Sequence, residues 1–460
     1  MSVFLQKLII FFTAISTFFT GLFGINTDKI KPYSVPEGSA VSVQSEALYE
    51  AYGLPEFTAG DLQGIYESSG ETVIGRYENT EEADFNAYVS ALTNAGFDVY
   101  DRNTIEDNVF ATLTNGESTV SVSRFTRTKT LRIIAEPKGA LCPLTDNTQG
   151  DFDTLITGMK GETSVASEGM GFIIRLADGS FCVIDGGMGD SDHVDSNKLM
   201  NILLAQKPAD AEKPVIAAWI FTHLHGDHIG VFNCFSLDHH DDVVIEKLYF
   251  NFPKDEETRN SDSSYMLDDT IFRYTQFRKN LEEFYSDVPV VKLHSGNRFQ
   301  VRNASFEVLY AYDDLYPVTI VDGGMNECSL LTKMTVEGQT VLWTGDLAFN
   351  ATDLVLWEYD EDLKSDFLQL AHHGMNGTKA FYSAVNPTYA FLPVWEGGMG
   401  AMLARSQNRM LVGNKDFRQM IVTSCGTWTI KLPYSAEPAA ELRIPNEATV
   451  YPSYPSLLGE

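Results

Sequence analysis

The sequence predicts an α/β protein in which a large domain follows a small α+β domain and an N-terminal hydrophobic segment. Three observations carry that expectation. Val215 to Thr222 is a nearly unbroken apolar run ending in a polar turn, which reads as a buried strand, and Ile229 to Phe235 then reads as the opening of a helix. The same pattern of an apolar strand ending in polar residues recurs three times. Phe181–Ile184 runs into Asp185-Gly186-Gly187, Thr340–Trp343 into Thr344-Gly345-Asp346, and Phe367–Ala371 into His372-His373-Gly374. Finally, 460 residues exceed one comfortable hydrophobic core, so a main domain and a smaller one are expected.

Composition narrows the function. Lys plus Arg number 33 against 63 Asp plus Glu, a net charge of -30, which disfavours a sequence-independent hold on nucleic acid or on an anionic membrane surface. The acidity is spread along the chain, as solubility requires. Five cysteines, Cys142, Cys182, Cys234, Cys328 and Cys425, show no paired spacing and read as small buried hydrophobes.

Along the chain, Leu8 to Ile25 form an apolar run after a lone Lys7, followed by a polar linker from Asn26 to Ser45. Residues 1–30 therefore read as a signal peptide or an N-terminal membrane anchor, and the protein as exported, either secreted or tethered. The small domain spans 47–137. Thr72 to Tyr77 reads as a strand, and Asn79-Thr80 as the cap of a helix with Phe85, Tyr88, Val89 and Leu92 at helical spacing. Strands follow at Asn108–Thr114, Thr119–Phe125 and Thr130–Ala135, the first two joined across Asn115-Gly116. Its Tyr and Phe stripe reads as core, with no catalytic group. A linker from Lys138 to Gly150 leads into the large domain, 151–435. There Phe172–Leu176 and Phe181–Ile184 read as one hairpin, Leu330–Val336 and Thr340–Trp343 as another, and Ser263 to Asp287 as an inserted amphipathic helix.

The chemistry concentrates in Thr222-His223-Leu224-His225-Gly226-Asp227-His228, three imidazoles and a carboxylate at metal-ligand spacing. Such donors suit Zn(II), Fe(II) or Mn(II). His-x-His places two nitrogens on one side of a loop while Asp227-His228 turns toward a second ion. A single ion would not need all four.

His223-x-His225-x-Asp227-His228 resembles the signature of the metallo-β-lactamase-fold hydrolases. That resemblance implies an αββα sandwich and two divalent ions, zinc foremost, bridged by hydroxide. It implies that His223, His225 and Asp346 hold one ion, and that Asp227, His228, Asp346 and one of His372 or His373 hold the other. Asp227 would also orient the nucleophile, and Asp185 would steady the ligand loops through hydrogen bonds without touching an ion. Asn326-Glu327-Cys328-Ser329-Leu330, Leu342-Trp343-Thr344-Gly345-Asp346 and Leu370-Ala371-His372-His373-Gly374 resemble more closely the corresponding domain of ComEC-type competence proteins, over roughly Asp153 to Leu432. Two departures stand out. His294, at the end of a Val-rich strand, is a poor match for the usual third-motif ligand, so the first ion lacks one protein donor. Glu396-Gly397-Gly398-Met399-Gly400 replaces the Gly-His-Pro of that branch.

The resulting expectation is a metal-dependent hydrolase of a small or envelope-derived phosphoester or phosphodiester. The alternatives are a ComEC-like nuclease, a β-lactamase or thioesterase-type hydrolase, and a non-catalytic binding protein of the same fold.

Overall fold

The computed structural model describes residues 45–68, 71–162, 169–189, 191–253, 264–316 and 324–436. The apolar run from Leu8 to Ile25 lies outside them, and among the described residues no helix is long and apolar enough to cross a membrane.

After a short helix α1 (Ser45–Tyr52), the chain builds β1 (Asp61–Glu67), β2 (Val73–Glu78), helix α2 (Glu82–Asn94), β3 (Asp98–Ile105), β4 (Asn108–Thr114), β5 (Ser118–Phe125) and β6 (Thr130–Pro137). The strands pair antiparallel in the order β1-β2-β6-β5-β4-β3. The sequence foreshadowed the four inner strands but not β1 and β3. Those two are the edges; their residues are largely exposed and polar, so no apolar alternation marks them. The helix cap also differs from expectation. Glu81 takes that position, its backbone N–H donating to the Asp84 carboxylate at 2.8 Å, while Asn79 turns into the left-handed region at φ 54 and closes β2.

Because a strand alternates its faces, adjacent residues enter different cores. Val73, Val122, Leu131 and Ile133 pack with Phe85, Tyr88 and Leu92 of α2, the core expected for this segment. Tyr66, Ile74 and Ile134 instead join the core of the following domain, beside Tyr312 and Met325. Buried charge ties the same face down. Arg132 reaches Asp314 at 2.9 Å and Glu358 at 3.6 Å, with its guanidinium 4.2 Å above the Phe125 ring. Glu136 accepts from His294 at 3.0 Å and Lys292 at 2.9 Å, and His294 bonds Asp313 at 2.6 Å from its other nitrogen. The six-stranded sheet is therefore built into the larger domain, and excising 47–137 would leave Asp314 and Glu358 without Arg132, and Lys292 and His294 without Glu136.

The larger domain has two mixed sheets. One contains β7 (Leu155–Gly158), β8 (Gly171–Arg175), β9 (Phe181–Asp185), β10 (Val215–Ile220), β11 (Val244–Ile245), β12 (Leu248–Phe250), β13 (Val290–Lys292) and the last strand, β21 (Trp428–Lys431). Its order is β13-β12-β10-β9-β8-β7-β21, with β11 beside β10. The other runs β14 (Arg298–Val301), β15 (Ala304–Tyr310), β16 (Leu331–Val336), β17 (Gln339–Trp343), β18 (Phe367–Gln369), β19 (Tyr389–Leu392) and β20 (Gln419–Val422), paired in chain order.

The two sheets face each other. Phe172 of β8 lies 4.9 Å from Trp343 of β17 and 5.4 Å from Phe391 of β19, and Trp428 of β21 stacks on Phe391 at 5.0 Å. Helices close the outside. On the first sheet, Leu199 and Leu203 of α3 (Val194–Gln206), Phe232 and Phe235 of α4 (Gly226–His239) and Phe277 of α5 (Ser264–Phe284) pack with Val183, Trp219 and Phe221. On the second, α6 (Phe349–Tyr359) packs on β15 and against α7 (Lys379–Val385). This is an αββα arrangement. Within it β9 and β10 are parallel neighbours, as are β17 and β18, so the turns after all four strands emerge at carboxyl ends. Cys142 and Cys182 are free thiols, the second of them fully buried between the sheets.

Two tests follow from the buried charges. Arg132→Ala should lower stability by about 3–5 kcal/mol, because it leaves two buried carboxyls unpaired; a thermal midpoint equal to that of the wild type would refute the assignment. For His294, burial alone would depress the imidazolium, but the Glu136 and Asp313 carboxylates outweigh it and push it up to about 9 from its ordinary 6.5. A raised folded-state value contributes stability that is fully present below about pH 6.5 and is lost as pH rises through about 9, a change of about 3 kcal/mol. The advantage of wild type over His294→Asn should shrink accordingly across that window, and a pH-independent difference would count against the charged clamp.

Candidate metal centre

The site begins where β9 stops. Asp185 adopts φ 54, a strained conformation for a residue with a Cβ, and turns its carboxylate back across β10. One oxygen accepts from the Thr222 backbone N–H at 2.7 Å; the other accepts from the Thr222 hydroxyl at 2.7 Å and from His228 Nδ1 at 2.7 Å. With Nδ1 donating there, His228 presents Nε2 to the opposite side.

β10 delivers the histidines. Helix α4 starts at Gly226, three residues before the expected Ile229, so Asp227 and His228 stand in its first turn and His225 immediately precedes it. Gly226 permits a close approach: a Cβ there would sit 2.3 Å from Cδ and Nε of Arg273 of the inserted helix α5, and that side chain would have to shift. The insertion is thus packed directly on the helix that carries two of the site's side chains.

From the second sheet, Gly345 turns the chain at φ 52, where a Cβ would come 2.8 Å from the Thr222 side chain. That contact seats the two strand ends together. The Asp346 backbone N–H donates to the Ser329 hydroxyl at 3.1 Å, and the Gln369 amide secures the same turn through Thr344 N at 2.8 Å and the Gly345 carbonyl at 3.0 Å. Glu327 caps the nearby helix α6, accepting from Asn350 N at 3.0 Å and Ala351 N at 2.8 Å, and burial pushes its carboxyl up to about 7. Ser329, Gln369 and Glu327 had no assigned role in the sequence. Two signals were available: Ser329 lies in the Asn-x-x-Ser-Leu pattern, and Gln369 is a polar residue inside the apolar run of β18.

Two donor sets converge, and Asp346 belongs to both. His223, His225 and Asp346 form one; Asp227, His228, Asp346 and His373 form the other, the atoms within each lying no more than 4.8 Å apart. His223 Nε2 is 3.1 Å from His225 Nδ1 and 3.8 Å from Asp346 Oδ2. His228 Nε2 is 3.1 Å from Asp346 Oδ1, and His373 Nε2 is 3.0 Å from Asp227 Oδ2. The other His373 nitrogen bonds the Pro393 carbonyl at 2.7 Å, which fixes the proton on Nδ1 and leaves Nε2 a free donor pair. His372 falls in neither set. His294 stands apart among Glu136, Asp313 and Asn251.

Electrostatics and unsatisfied atoms test whether ions fit. Burial would raise the Asp346 carboxyl, but the positive charge available on His228, His373 and His372 holds it well below the usual carboxylate range. Burial and the neighbouring His228 drive His223 the other way, toward the neutral imidazole that a metal ligand must be. His228 Nε2 and both Asp346 carboxylate oxygens are buried with no hydrogen-bond partner. Buried polar atoms are rarely left so, and a cation between them satisfies all three at once. The donor set fits two divalent ions sharing Asp346.

No protein-family model matches the sequence, and no curated protein matches it. Among solved structures, the chain is similar to the metallo-beta-lactamase fold protein YhfI from Bacillus subtilis, at 13% identity and a TM-score of 0.36 over 60% of this chain and 100% of that one. It is similar to a mutant of the CmlA beta-hydroxylase at 12% identity and a TM-score of 0.36, over 61% of this chain and 54% of that one. A beta-lactamase domain protein from Burkholderia ambifaria follows at 14% identity and a TM-score of 0.27, over 48% and 69% of the two chains.

The two aspartates at strand ends should separate in their effects. Asp346→Ala removes the carboxylate common to both donor sets and should abolish stable metal retention on folded protein. Asp185→Ala removes a hydrogen-bond support and should weaken metal binding by about 10–100-fold. Equilibrium dialysis at equal free metal measures the order, and a larger loss in Asp185→Ala would overturn these placements.

Proposed function

We propose that the chain is a metallohydrolase of phosphoesters or phosphodiesters working with two divalent ions, zinc ahead of manganese or iron. The observation that carries this is the shared, unsatisfied Asp346 carboxylate between two imidazole-rich donor sets. His223, His225 and Asp346 would hold one ion, and Asp227, His228, Asp346 and His373 the other. When bound, such a pair lowers the pKa of a water from ~15.7 toward ~7 and offsets the negative charge that develops on an attacked phosphoryl group.

The chain's own residues supply the rest. Asp185 and the Pro393 carbonyl fix the orientations of His228 and His373. Asp227, at the start of α4 and 3.0 Å from His373 Nε2, would orient the attacking water as well as hold the ion. The likeness of the Asn-x-x-Ser-Leu, Thr-Gly-Asp and His-His-Gly segments to the ComEC-type domain favours phosphoester chemistry. The net charge of -30 favours a small or envelope-derived substrate over a nucleic acid held by its backbone. A β-lactamase reading fits less well, since Asp346 stands where that ligand pattern has a cysteine or histidine. The apolar run from Leu8 to Ile25 supports an extracytoplasmic location, whether the protein is released or held at the membrane by that segment.

The test is metal analysis combined with a panel of chromogenic phosphodiesters, phosphomonoesters, lactams and thioesters. More than one equivalent of transition metal, with phosphoester turnover lost to chelator and regained on adding zinc or manganese, is the expected result. Trace metal only, or turnover confined to lactams or thioesters, would sink the proposal.

A further inference from the structure

The adjacent histidines after β18 are not equivalent. His372 and His373 both adopt left-handed backbone angles, φ 51 and φ 53, two strained residues in succession. The consequence is that consecutive side chains turn toward the same centre, their rings 5.8 Å apart and 60° inclined. His373 is 1% exposed and locked between the Pro393 carbonyl and Asp227. His372 keeps 24% of its side chain exposed, the most open imidazole of the five at the site, with Nε2 3.6 Å from Asp346 Oδ2.

The Asn326 side chain engages His372 as well. Its amide lies 3.3 Å from Nδ1 and 3.4 Å from Nε2, so it holds the ring in place from one side. His372 stands at the open side of the centre, beside the carboxylate both donor sets share. Its ring belongs to neither donor set, although Nε2 comes within 3.6 Å of the shared carboxylate.

We propose that His372 is a substrate-contacting residue that donates a ring N–H to a phosphoryl oxygen, and that Asn326 is the positioning residue that holds its ring. This rests on the phosphoester reading above. The division of labour explains the strained pair: one histidine is needed as a buried ligand and its neighbour as an accessible donor, and only a left-handed turn brings both to one point.

The experiment uses full-length protein loaded with zinc and inorganic phosphate as the probe. Calorimetry gives phosphate affinity and elemental analysis gives bound zinc, for wild type, His372→Ala, Asn326→Ala and the double variant. His372→Ala should keep the wild-type zinc stoichiometry and bind phosphate about tenfold more weakly, the cost of one hydrogen bond to a charged group. Asn326→Ala should weaken phosphate binding less, and the double variant no more than His372→Ala alone, because Asn326 acts through that ring. Loss of a zinc equivalent in His372→Ala would make it a ligand and overturn the proposal. Equal phosphate affinity in wild type and His372→Ala would overturn it as well. Wild type that retains zinc but binds no phosphate would instead bring down the phosphoester reading on which the proposal stands.

Discussion

Three carboxylates, those of Asp185, Asp227 and Asp346, are buried within one seam between two sheets, and that charge has to be compensated in a medium that screens poorly. Much of the surrounding structure answers this requirement. Asp185 is satisfied by Thr222 and His228, whereas Asp227 faces the His373 Nε2 lone pair and Asp346 has only its backbone anchors, so the oxygens of both are left for cations. The parallel pairs β9/β10 and β17/β18 bring the four donor turns to the same end of the sandwich. The strained angles at Asp185, His372 and His373 persist because the packed strands on either side leave the chain no other exit.

The same logic, with protein cations in place of metal, joins the six-stranded sheet to the larger domain. Arg132 reaches across to Asp314 and Glu358, the protonated His294 sits between carboxyls contributed from both sides, and Tyr66, Ile74 and Ile134 bury an apolar face there. Neither half is complete alone. A face that alternates out of its own core is committed to a neighbour, and here the neighbour also supplies the counter-charges.

The sequence disclosed what is local. The apolar runs of β9, β10, β17 and β18 and the donors at their ends were legible because strand burial and metal-ligand chemistry both leave compact signatures. Helix α2 was legible through the spacing of Phe85, Tyr88, Val89 and Leu92. What stayed hidden depends on pairings made at a distance. β7 is four residues long and is recognisable only beside β8 and β21, the latter some 270 positions downstream. β1 and β3 are polar edges. The role of His294 required Glu136 from another sheet, and the split between His372 and His373 required Pro393 and Asn326, neither adjacent in sequence.

The apolar floor of the centre contains its own witness. Trp219, one of five tryptophans, donates its indole N–H to the Asp185 carbonyl at 2.8 Å and stacks on Phe221 at 5.7 Å. Asp185 grips His228, and His228 faces the carboxylate common to both donor sets, so whatever occupies the centre is coupled through two hydrogen bonds to a buried fluorophore. Filling and emptying of the site should therefore register in the emission of Trp219, an internal probe that needs no label, substrate or chromogenic chelator.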